Sequence, residues 1–117
     1  MSAAEDRFMW LFVFFDLPVL TKEERRAAAR FRNFLLNDGY MMMQLSVYAR
    51  VCNGQERVEK HLTRLEHAIP AKGSVRAIQI TDLQYERMKI LIGKRNLREE
   101  KKSRTASFIL SCSVFFI

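Results

Sequence analysis

Eight apolar residues in a row, Phe8-Met9-Trp10-Leu11-Phe12-Val13-Phe14-Phe15, are followed at once by Asp16-Leu17-Pro18. A run of that length, aromatic and β-branched, bounded by a proline, reads as a strand with both faces buried. Such a strand needs a cover on each side, which limits the chain to layered folds. It also ends on a carboxylate. An acid at the tip of a buried strand either caps the next turn or holds a cation against a phosphate.

The rest of the chain alternates helix and strand. Thr21-Lys22-Glu23-Glu24 is a capping box, with a hydroxyl at the cap and a carboxylate three residues on. The helix it opens runs to about Asp38, burying Ala27, Ala28, Phe31, Phe34 and Leu35, and Gly39 stops it. Residues 40–51 alternate without a break. Met41, Met43, Leu45, Val47 and Ala49 lie on one face, with Gln44, Ser46 and Tyr48 on the other, so periodicity alone predicts one strand. Asn53-Gly54 marks a turn. A second helix spans about Gln55 to Ala68, with Val58, Leu62 and Leu65 inward, closed by Pro70 and Gly73. Ser74 to Thr81 is a strand, Asp82 to Arg87 a helical turn, and Met88 to Ile92 a short strand ended by Gly93.

A chain of 117 residues makes one domain, large enough to fold without staples. We expect the folded unit in residues 1–93 and a basic arm with an apolar tail in 94–117. Residues 94–104 hold six basic residues against two acids, and the last four are Val-Phe-Phe-Ile. The apolar first strand and apolar tail both demand a cover, and a second copy of the chain, sheet against sheet, is the simplest one.

The formal net charge of +7 favours an anionic partner, nucleic acid ahead of membrane. No apolar stretch approaches the ~20 residues of a membrane span, and the polar, acidic first seven residues resemble neither a secretory signal nor a transit peptide. We therefore expect a cytoplasmic protein with Cys52 and Cys112 reduced. His61 and His67 are both expected on solvated surface. No Ser-His-Asp set, phosphate-binding glycine loop or zinc spacing occurs. The basic excess falls on the first helix, through Lys22, Arg25, Arg26, Arg30 and Arg32, and singly at Arg50, Lys72, Arg76, Arg87 and Lys89. Guanidinium groups suit phosphate; the plain alternative is a solvated face with local ion pairs.

Phe14-Phe15-Asp16-Leu17-Pro18, then Arg30-Phe31-Arg32-Asn33-Phe34-Leu35, then Gly39 and Gln44-Leu45-Ser46-Val47-Tyr48, resemble in order and spacing the second of the two universal CRISPR adaptation proteins. The likeness covers about residues 8–92 and is nearest to the form beside single-effector, type II systems. It implies an α+β, ferredoxin-like βαββαβ sandwich forming a sheet-to-sheet homodimer, with an extra C-terminal strand or tail. It implies a bend near Gln44, splitting the strand that periodicity leaves whole. It further implies Asp16 near the dimer axis as magnesium ligand and catalytic residue, with manganese able to substitute. Phe15 and Tyr48 would then sit at the interface beside it, and Arg26, Arg30, Arg32, Arg50 and Arg76 on nucleic acid.

The implied partners are an integrase subunit and double-stranded DNA, with RNA as a second substrate, and no membrane. The implied activity is metal-dependent endonuclease chemistry beside a largely structural role in spacer acquisition. Many members carry Tyr before the Asp; Phe15 stands here, so no phenol joins the site. Two alternatives stay open: a toxin-like magnesium-dependent endoribonuclease that works without an integrase, and a ferredoxin-like small-molecule regulator, which the basic helix argues against.

Overall fold

The computed structural model describes residues 8–93. Four strands and three helices follow in the order β1 (Phe8–Asp16), α1 (Lys22–Asn37), β2 (Met41–Gln44), β3 (Val47–Asn53), α2 (Gln55–Glu66), β4 (Ser74–Thr81) and α3 (Asp82–Glu86). The sheet runs β2-β3-β1-β4, with every neighbouring pair antiparallel. This is an α+β fold of βαββαβ type. The basic arm and apolar tail expected in residues 94–117 lie outside the described residues, as does the polar start.

Local chemistry sets the helix ends. Thr21 Oγ1 accepts from the Glu24 N–H at 3.1 Å, and Glu24 Oε1 accepts from the Thr21 N–H at 3.0 Å, completing the expected capping box of α1. Gly39 follows the helix at φ +93°, a conformation a side chain adopts only under strain. A Cβ there would also stand 2.7 Å from Arg50 Nη1, so the guanidinium would have to shift.

Periodicity is misleading at residues 40–51. The segment is a hairpin, β2 and β3, turning at Leu45-Ser46 near the bend the family likeness implies. The two-residue turn pairs Gln44 with Val47, which by itself puts alternation out of step; one extra residue in β2 restores it, so Met41 pairs with Ala49, and Met43, Val47 and Ala49 still share a face. Among the described residues no non-glycine residue has positive φ, so this is not the glycine-marked primed turn of most tight hairpins. A register shift between Met42 and Gln44 accompanies it.

The first strand is buried on both faces, by different means. Toward α1 and α2, Leu11, Val13 and Phe15 pack with Phe31, Leu35, Val58 and Leu65. On the far face Trp10 and Phe12 are covered by Tyr85 of the chain's own α3, where the sequence suggests a second copy as the cover. Phe14, further along, stays 40% exposed and Ile78 on β4 52%. Residues 88–92 form no strand; they follow α3 as an irregular segment whose Met88, Ile90 and Ile92 line a groove of about 470 Å³ with Phe14 and Ile78.

Candidate functional site

Alternation along β1 puts Phe8, Trp10, Phe12, Phe14 and Asp16 on the far face. Asp16 is exposed at the very end, opposite Ser74 of β4. Three connections meet there. The Leu45-Ser46 turn docks when Ser46 O accepts from the Phe15 N–H at 3.0 Å. The loop before β4 arrives through Gly73, at φ +103°, where a Cβ would stand 2.7 Å from the Asp16 carbonyl oxygen and 2.9 Å from Leu17 Cδ2. The loop into α1 is braced by Arg25, whose Nη1 donates to the carbonyls of Val19 and Leu20 at 3.2 and 3.1 Å. The main chain around Asp16 is therefore held on three sides while its carboxylate faces solvent.

No ion pair involves that carboxylate, and no cluster of three metal-ligating side chains occurs, among the described residues. One hard, exposed carboxylate suits magnesium, which commonly takes one or two from protein and completes its shell with water and phosphate. Asp16 fits that role, and a second copy meeting at this face would supply the second carboxylate.

The arginines separate. Arg26 and Arg30 are exposed on α1, in the helical layer. Arg76 is exposed on the far face, opposite Phe14 and one side-chain step from Asp16. Arg32 is half-buried, its Cζ 5.9 Å from the centre of the Phe15 ring. Arg50 is not a surface cation. Its guanidinium donates to the carbonyls of Asp38 and Val51 and lies 3.5 Å from His61 Nδ1, so it is spent inside the domain.

Phe15 and Tyr48 were expected at the interface beside the acid. Both are buried under the helices, rings 5.5 Å apart, because alternation turns Phe15 and the Val13–Tyr48 pair away from Asp16. His61, expected in solvent, is buried against Asp38; only His67 is exposed.

Sequence reasoning missed Gly73 and Ser74. Pro70 and Gly73 signal a turn, but nothing local says that it lands on Asp16, 57 positions earlier by number (73 minus 16). Burial pushes up the Cys52 thiol and the Tyr40 phenol, while hydrogen bonds from the Thr21 and Leu20 N–H groups hold the Glu24 carboxyl down.

The family described as CRISPR associated protein Cas2 matches residues 9–88, from the first strand to just beyond α3. The chain belongs to the Cas2 family. Its relatives agree over most of its length. A CRISPR-associated endoribonuclease Cas2 from Acidovorax ebreus is 49% identical over 102 residues, 87% of this chain and 99% of that protein. The protein of the same name from Ligilactobacillus salivarius is 41% identical over 102 residues, 87% of this chain and all of its own length (100%). That from Paracidovorax avenae is 53% identical over 81 residues, 69% of this chain and 75% of its own. The Cas2 match includes Asp16, Gly73, Ser74 and Arg76. No helix among the described residues is long and apolar enough to cross a membrane.

Proposed function

We propose that this Cas2-family chain serves CRISPR adaptation as a homodimer joined through its far faces. In this reading it bridges integrase subunits, holds prespacer DNA, and hydrolyses phosphodiester bonds with magnesium at paired Asp16 carboxylates. The supporting observation is the placement of Asp16: exposed, unneutralised, at the open end of the face that still displays Phe14 and Ile78. Two copies meeting there bring two acids to one axis. Two acids at one axis repel unless a cation lies between them, so activity requires metal.

A cation at that axis would neutralise charge on the phosphate and activate water. Asp16 would hold it, with manganese able to replace magnesium. Arg76 offers its guanidinium to a phosphate oxygen on the same face. Arg26 and Arg30 position the backbone of a duplex without reading sequence. The names of the relatives support RNA as a hydrolysed substrate. A cytoplasmic setting beside a single-effector, type II system belongs to the same reading.

The test is spacer integration in a mixture of integrase subunit, prespacer duplex and magnesium, with wild type or Asp16→Ala, and cleavage of RNA and duplex DNA read in parallel. Asp16→Ala keeps the fold and abolishes cleavage. Integration that survives the substitution makes the chain a structural clamp; integration lost with cleavage puts hydrolysis in the mechanism. Integration indifferent to the chain removes the adaptation reading. It then leaves a second one, favoured by the relatives' names: a toxin-like endoribonuclease that cuts RNA alone.

A further inference from the structure

The half of the far face nearest Phe8 is closed by α3, a helix of five residues. So short a helix has no stability of its own, and its position depends on how it is fastened. The Trp10 indole N–H donates to Asp82 Oδ1 at 2.8 Å. The Tyr85 ring lies on that indole, centroids 3.8 Å apart and planes 13° from parallel. Thr81 Oγ1 accepts from the Gln84 N–H at 3.0 Å and Gln84 Oε1 accepts from the Thr81 N–H at 2.8 Å, a second capping box that shapes the turn. Trp10 and Tyr85 are wholly buried and Asp82 is 3% exposed.

These contacts depend on one another. An indole N–H or a carboxylate is costly to bury without its partner, so loss of one contact loosens the others. Past Tyr85 the face opens onto Phe14 and Ile78.

We propose that Trp10, Asp82 and Tyr85 form a lock that closes the Phe8 half of the far face and confines association with a second copy to the Asp16 half. The inference rests on the dimer reading above. The open half carries apolar Phe14 and Ile78 beside the chain's own Met88, Ile90 and Ile92, with Asp16 and Arg76 toward the end of the strands. A two-fold copy therefore meets apolar surface with apolar surface and brings its Asp16 to the other for a shared cation. With the lock released, Trp10 and Phe12 join the exposed surface. The sheets then have more than one way to stack.

The chain has a single tryptophan, which reports the lock directly. Acrylamide quenching of Trp10 and light-scattering mass are measured on the full chain as wild type, Asp82→Ala, Asp82→Asn and the gentler cap variant Gln84→Ala. Wild type is expected to be a dimer with Trp10 shielded. Asp82→Ala raises quenching several-fold and replaces the dimer with larger, concentration-dependent species. Asp82→Asn, which keeps an acceptor oxygen, restores both. Gln84→Ala, on the surface, shifts both partway with the circular dichroism unchanged, and it decides the matter if Asp82→Ala does not fold. Quenching unchanged in folded Asp82→Ala or Gln84→Ala overturns the lock. Quenching that rises while the dimer persists overturns its role in choosing the interface. A monomeric wild type with Trp10 shielded overturns the dimer reading and this role with it, and the shielding tells that result from failure of the lock.

Discussion

Asp38 Oδ2 meets His61 Nδ1 at 2.8 Å inside the domain, joining the end of α1 to the middle of α2. The carboxylate accepts, so Nδ1 carries the proton. Arg64 Nη2 reaches the other oxygen, Oδ1, at 2.7 Å, and Arg50 holds the Asp38 carbonyl. One acid thus organises three basic side chains where the chain turns from α1 into β2. Asp38→Ala leaves the buried His61 N–H without its acceptor and should cost about 1–3 kcal/mol. Arg64, 51% exposed, should cost only about 0–1 kcal/mol as Arg64→Ala, after allowance for solvent screening. Urea unfolding of the two variants checks the contrast; equal costs would mean that burial of Asp38 is not what matters.

Gly73 and Gly54 make a matched pair, both at φ +103°. An alanine at Gly54 meets nothing within 4 Å, whereas at Gly73 it collides with the Asp16 carbonyl. Gly54→Ala should therefore cost only its positive-φ extended backbone, about 1–3 kcal/mol. Gly73→Ala should cost more and move Asp16. Thermal unfolding gives the first comparison. Metal-dependent cleavage gives the second, lost in Gly73→Ala and kept in Gly54→Ala.

The Glu24 carboxyl, hydrogen-bonded to the Thr21 N–H, titrates below its ordinary value of 4.5. A depressed folded value means that its contribution is present above pH 4.5 and is lost as pH falls through the lower folded value. Glu24→Gln should flatten that acid limb of the stability profile, and Thr21→Ala should lower stability by about 1 kcal/mol at neutral pH. An acid limb identical in Glu24→Gln and wild type would remove Glu24 from it.

Burial raises the Cys52 thiol from its ordinary 9.0 and the Tyr40 phenol from 10.0. Both groups are held neutral in the fold, so their contribution is complete below pH 9.0 and declines as pH rises toward the folded values. Cys52→Ser and Tyr40→Phe should weaken the alkaline loss of stability. Cys52 should react with a thiol reagent only at the rate of unfolding; rapid labelling of native protein would contradict its burial.

Binding to duplex through Arg26 and Arg30 should weaken steeply with salt and show little sequence preference. Each substitution to alanine should reduce the salt slope by about 1. Arg50→Ala should leave the slope unchanged and lower stability, because its guanidinium is engaged inside the domain.

Much of the fold was legible in short-range signals. The Thr21–Glu24 capping box, the left-handed Gly39, the buried Ala28, Phe31 and Leu35, and the limits of β4 all stand where spacing put them. The hairpin at Leu45-Ser46 was hidden because the register shift between Met42 and Gln44 cancels the change of parity that a two-residue turn makes, leaving the alternation unbroken in the sequence. Arg50 read as surface charge because its partner lies 12 residues away. Tyr48 read as an interface residue because strand alternation shows two faces without saying which one the helices cover.

The sequence by itself determined the two long helices, β1, β4 and the acid at the tip of β1, since helix caps, turns and alternation act between residues a few positions apart. Only the tertiary structure decided that Asp16 shares its face with Phe14 and Arg76, that Asp38 gathers His61, Arg50 and Arg64, and that Trp10 finds Asp82 72 residues away. Those pairings come from two layers closing on one core, where a buried polar group must find its partner wherever the packing brings one within reach.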